Sequence, residues 1–135
     1  MNCESLLFAI TPTASSVLEN GTIPLAQIAR RVSPRIELGS DSITAYQVGY
    51  YKVSGTITFT VPTAGVATIE LRKNGTPVAG ITSSASVTTA TTEVTTLPIE
   101  GIVRVLCGET AVLTLVNTGV AIDITNVALI VEKVA

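Results

Sequence analysis

The chain has 135 residues, 47 % of them hydrophobic and only 13 % charged, with a net charge of −2 and no histidine. One domain with a substantial core fits that length. Soluble domains ordinarily carry about 25 % charged residues, so this exterior must be neutral Ser and Thr or be buried against partners. Scattered, slightly acidic charge argues against a nucleic-acid partner, and the lack of His removes the commonest general base and metal ligand.

In chain order, the opening MNCESLLFAITP lacks the basic segment and long apolar run of a signal peptide. No stretch approaches the roughly 18 apolar residues of a membrane span, so no membrane partner is expected and synthesis and folding in a cytoplasm are. A first strand is expected over 5–11. Asn20-Gly21-Thr22 matches a glycosylation sequon but, without a secretion signal, reads as a turn. LAQIARRV, 25–32, has the spacing of a short amphipathic helix, but Pro24 and Pro34 hem it in. An extended segment over 23–30 is the better reading. Short strands follow over 35–38 and 45–48.

GYYKVSGTITFTV, 49–61, is the clearest element. Tyr51, Val53, Gly55, Ile57, Phe59 and Val61 alternate with Lys52, Ser54, Thr56, Thr58 and Thr60, the period of two of a half-buried strand. Its polar half is mostly threonine and holds one charge. Strands over 66–73 and 77–83 flank Asn74-Gly75, a strong hairpin signal. Further strands are expected over 87–97, 101–106, 110–117 and 123–133, with the Thr/Ser-rich stretch 82–96 read as strand surface. Turn residues recur about every ten residues, the rhythm of an all-β sandwich or barrel in one unit spanning 1–135.

In DITNVALIVEKV, Val127, Leu129 and Val131 fall on one side and Ala128 and Ile130 on the other; ETAVLTLVN is similarly two-faced. A sandwich strand in a monomer wets one face, and large exposed apolar patches are rare in monomers. Another copy of the same sheet is therefore the expected cover.

No catalytic constellation stands out. Without His, a Ser or Thr nucleophile would need a Lys or an N-terminal amine as base, and Lys52, Lys73 and Lys133 fall at strand surfaces. Glu93 and Glu100 read as solvated carboxylates rather than an acid/base pair. Cys3 and Cys107 read as reduced, buried thiols, with a bridge between them as the alternative. No enzyme activity and no cofactor are expected.

The order of segments is itself informative. LLFAIT, IPLAQIARR, GYYKVSGTITFTVPTAG, IELRKNGTPV and the closing LVNTGVAIDITNVALIVEKV resemble the trimeric jelly roll of the tumour-necrosis-factor/complement-q family. The likeness is greatest to the compact heads of Firmicutes and their bacteriophages, which often cap collagen-like stalks. The resemblance implies a ten-stranded jelly-roll sandwich whose first, central and last strands line a threefold axis. Carried onto this chain, it places Tyr50, Thr56, Thr58, Ala128 and Ile130 at the trimer interface and their odd-numbered neighbours in the core. Threonines there could bond across strands where a lysine would leave a buried charge unpaired. Calcium, which some relatives use, would draw on Asp41, Glu109 or Asp123, although no dense acidic cluster exists and no metal is expected.

No Gly-X-Y repeat precedes the head, so a free-standing trimer is expected. It would be a structural decoration of a phage capsid or fibre, made in the bacterial cytoplasm and carried on the virion surface. The alternatives are a module recognising a host glycan or protein, with few aromatic residues to serve it, and a spore or cell-surface head. Docking to a capsid or fibre protein is expected through Arg30, Arg31 and Arg35, three of the eight basic residues. The plainer alternative is a charged edge that discourages aggregation.

Overall fold

A computed structural model describes residues 6–11, 14–32 and 36–135. Their strands are β1 (Leu6–Thr11), β2 (Ser15–Val17), β3 (Gln27–Val32), β4 (Ile36–Leu38), β5 (Ile43–Ala45), β6 (Gly49–Thr60), β7 (Gly65–Lys73), β8 (Thr76–Val87), β9 (Thr95–Val105), β10 (Ala111–Asn117) and β11 (Ile122–Lys133). They form two antiparallel sheets. The first runs β3-β1-β11-β6-β9 with β2 also paired to β11; the second runs β4-β5-β10-β7-β8. Apart from the β4–β5 and β7–β8 hairpins, neighbouring strands in each sheet are not consecutive in the chain, which is the jelly-roll pattern.

Alternation places the core. Along β6, Tyr51, Val53, Ile57 and Phe59 are fully buried between the sheets, as are Val127 and Val131 of β11, with Leu129 almost so. From the second sheet, Ala67, Ile69 and Leu71 of β7 and Leu113 and Leu115 of β10 meet them. Each large side chain buried this way stabilises by about 1.5–3 kcal/mol relative to exposure. Gly55 faces inward opposite Leu129, where a Cβ would strike the Ala128 carbonyl and approach Leu129 Cα to 2.9 Å. The glycine is what lets β6 and β11 close at that point.

Several boundaries differ from the sequence reading. Residues 87–97 are not one strand: β8 ends at Val87 and β9 begins at Thr95 in the other sheet. Thr91 takes a positive φ of 64° in the intervening turn. Glu93 holds that turn by accepting from the Thr88 hydroxyl at 3.3 Å and the Thr89 N–H at 3.2 Å. The β-prone threonines of TTATTEV, 88–94, conceal this turn. The separate strand expected over 101–106 is the second half of β9.

The extended segment 23–30 divides as well. Pro24 has no N–H, the Leu25 N–H goes to Asp41 Oδ1 at 3.3 Å and the Ala26 N–H to Thr11 Oγ1 at 3.2 Å, so ladder pairing starts only at Gln27. Ser15–Val17 form a short strand that no alternation in the sequence marks, and the strand expected over 45–48 lies earlier, at Ile43–Ala45. Asn74 and Gly75 both have positive φ, 52° and 83°, as a tight hairpin turn requires. Cys107 is a free thiol but exposed rather than buried, because it lies in the turn after β9 beside Gly108; Cys3, and with it the bridge considered above, lies outside the described residues.

Candidate subunit interface

The outer face of the first sheet is built in lateral rows. Register pairs Phe8 with Ile130, Ile130 with Ser54, and Ser54 with Glu100. The next row runs Ile10, Ala128, Thr56, Pro98. Directly paired residues share a face, so Phe8 and Ile10 of β1 lie against Ile130 and Ala128 of β11, with Leu6 beside them. These five are half-buried, and no described strand lies across them.

The second sheet differs in kind. Its outward apolar residues have polar partners across the strands: Val66 pairs with Ser86, Val112 with Thr44 and Val116 with Glu70. Glu70 also pairs with Arg72 at 3.1 Å. Among the described residues, only the first sheet gathers apolar side chains into one continuous central patch.

The residues that the resemblance assigns to a subunit contact all fall on this face. Thr56 is exposed, and Thr58, Ala128 and Ile130 are half-buried. The Thr58 hydroxyl lies 3.0 Å from that of Thr96 on β9, a cross-strand hydrogen bond that satisfies both without charge. Tyr50 is 44 % exposed at the end of the same face. The Arg104 guanidinium sits 5.8 Å from its ring centroid, a cation–π contact. Phe8 and Ile10 were missed; the alternation of LLFAIT marks them as outward, but only the pairing with β11 shows what they join.

Arg30 and Arg31 do not share a face. Arg30 pairs with outward-facing Phe8 and Arg31 with the core residue Leu7, so these successive side chains leave opposite sides of edge strand β3. Both are exposed. Arg35 lies outside the described residues.

The carboxylates considered for calcium are committed elsewhere. Asp41 accepts from Leu25 N–H, and Asp123 from the Ser16 hydroxyl at 2.8 Å. Glu109 accepts from Leu106 N–H at 2.9 Å and pairs with Lys73 at 2.8 Å. The Leu106 N–H, and after it the Lys73 ammonium, hold the Glu109 carboxyl below its ordinary value of 4.5. Among the described residues, no group of three or more Cys, Asp or Glu could share a metal ion.

No family model matches the chain, and no curated protein does. Solved structures do. The globular domain of zebrafish complement 1qA protein superposes with a TM-score of 0.69 at 8 % identity, over 95 % of this chain and 94 % of that one. Eiger TNF from S. frugiperda gives 0.73 at 12 %, over 98 % and 92 %. PRD1 vertex protein P5 gives 0.62 at 15 %, over the whole of both chains. At such identities the likeness is one of fold: the chain has the TNF-like jelly roll that its sequence resembles.

Proposed function

We propose that this jelly roll is a non-enzymatic homotrimer, assembled through the outer face of its first sheet, that decorates the surface of a bacteriophage particle. The observation that carries the reading is the continuous patch of Leu6, Phe8, Ile10, Ala128 and Ile130, which one face of an ordinary monomeric sandwich would keep polar. Tyr50, Thr56 and Thr58 extend the contact, their neutral side chains entering a dry interface at little desolvation cost. A virion site draws support from the end-to-end likeness to the PRD1 vertex protein. A capsid or fibre protein is the partner, docked at the β3 margin through Arg31 and, beyond the described residues, Arg35.

Light scattering at micromolar concentration should give about three times the 13.9 kDa chain mass. A monomer at every concentration would end the reading. Docking is tested by co-sedimentation of Arg31→Glu with the particle, the trimer mass being checked in parallel; unchanged docking rejects the arginine.

One observation favours a recognition role instead. Tyr46, 50 % exposed, lines an open groove of about 540 Å³ together with Gln47, Val48, Cys107 and Thr110. An aromatic wall beside hydrogen-bonding groups suits a glycan. Binding to host envelope polysaccharide that disappears in Tyr46→Ala would establish that role.

A further inference from the structure

The row that contains Phe8 continues across the whole sheet: Arg30 on β3, Phe8 on β1, Ile130 on β11, Ser54 on β6 and Glu100 on β9. With strands about 4.8 Å apart, its two ends lie about 19 Å from each other. Arg30 and Glu100 are both exposed, on the two outermost strands of the sheet, and neither is in an ion pair with another described residue. Opposite charges therefore stand at the two margins of one row, with an apolar centre between them.

The neighbouring rows lack this arrangement. One runs from Gln27 through Ile10, Ala128 and Thr56 to Pro98, neutral at both ends. In the other, Glu132 and Lys52 sit beside each other on adjacent strands and β9 contributes Ile102, so the charges are interior to the row.

We propose that Arg30 of one copy pairs with Glu100 of the next around the ring, fixing the height at which the copies join. This rests on the trimer reading above. In a closed ring the contact is head-to-tail, so two different margins of the same chain must be complementary. Rotation about an axis parallel to the strands preserves height along them, and each row meets its own counterpart in the next copy. The β3 end of a row then faces the β9 end of that row. Only the Phe8 row brings opposite charges together there, and a slip of two residues along the strands would set Arg30 against Pro98 or Ile102. Unpaired charge at a contact is a strong discriminator against the wrong register.

The test is a charge-reversal cycle read by light scattering over a dilution series. Arg30→Glu and Glu100→Arg, each placing like charges at all three contacts, should raise the concentration needed for assembly by about tenfold or more. The double variant Arg30→Glu/Glu100→Arg should return to within about threefold of wild type. Circular dichroism melting of each variant at high dilution checks that the exposed substitutions leave the fold intact. If a single variant misfolds, Glu100→Gln decides instead: wild-type assembly should weaken with added salt and that of Glu100→Gln should not. A wild-type trimer whose single variants assemble at unchanged concentration, or a double variant no better than the singles, overturns the pairing and leaves the trimer standing. A monomeric wild type overturns the trimer, and the pairing with it.

Discussion

Lys73 and Glu109 form an ion pair of 2.8 Å, and the same ammonium donates to the Arg104 carbonyl at 2.6 Å. Lys73 ends β7 in the second sheet, whereas Arg104 lies in β9 at the margin of the first. One side chain thus ties the two sheets together where β8 and β9 run side by side, and it occupies an edge carbonyl that would otherwise be open to a foreign strand. Glu109 also closes the turn after β9 through the Leu106 N–H.

That geometry sets a pH dependence. The Glu109 carboxyl is held below 4.5, first by the Leu106 N–H and then by Lys73. A depressed folded value means that the stabilisation is present above the unfolded value of 4.5 and is lost as pH falls through the folded one. Glu109→Gln should melt below wild type at neutral pH, with the difference closing below about pH 4. A difference that stays constant from pH 7 to pH 3 would show that the carboxylate charge is not involved.

Ile130→Asp places a charge in the apolar centre of the proposed assembly face, where an unpaired buried charge costs about 3–5 kcal/mol. Assembly should be lost and the chain mass recovered in light scattering. Thr68→Asp, half-buried on the second sheet's outer face, should assemble as wild type does. Equal behaviour of the two would mean that the wrong face has been assigned.

Asn117 is fully buried. Its Nδ2 donates to the Val120 carbonyl at 2.9 Å and lies 3.4 Å from those of Val17 and Leu18, while Oδ1 accepts from Gly119 N–H at 3.1 Å. Asn117→Ala leaves several of these groups without a partner, so a loss of about 2–3 kcal/mol is expected in urea denaturation. A loss under about 0.5 kcal/mol would show that water replaces the side chain without cost.

Two inward glycines should respond unequally. At Gly55 a Cβ meets backbone, the Ala128 carbonyl and Leu129 Cα, whereas at Gly101 it meets only the Ile81 side chain. Gly55→Ala should cost about 1–3 kcal/mol as an overpacked site, and Gly101→Ala less, because Ile81 can change rotamer. The reverse order in denaturant titration would contradict the close approach of β6 and β11.

Metal removal should have little effect. EDTA is expected to leave Tm within about 2 °C, since only a ligand bound to the native state alters stability. A fall of about ten degrees would reveal a bound cation that the carboxylates at Asp41, Glu109 and Asp123 do not account for.

Side-chain direction along each strand is legible from local pattern. Strict alternation over 49–61 assigns Tyr51, Val53, Ile57 and Phe59 to the core, and all four are fully buried. Val127, Leu129 and Val131 separate from Ala128 and Ile130 by the same rule, because a strand's period is a local property of its backbone. Asn74-Gly75 marks its turn for an equally local reason. Beyond that hairpin, strand neighbours were settled only by the folded chain. Phe8 meets Ile130 through pairing between residues 122 positions apart, and no local pattern encodes that register. The same holds for the turn hidden among β-prone residues at 88–94 and for the divergence of Arg30 from Arg31. It holds as well for the row that sets Arg30 and Glu100 at opposite margins of one sheet. Alternation chooses a face for each side chain, but only hydrogen bonding between distant segments decides what else that face contains.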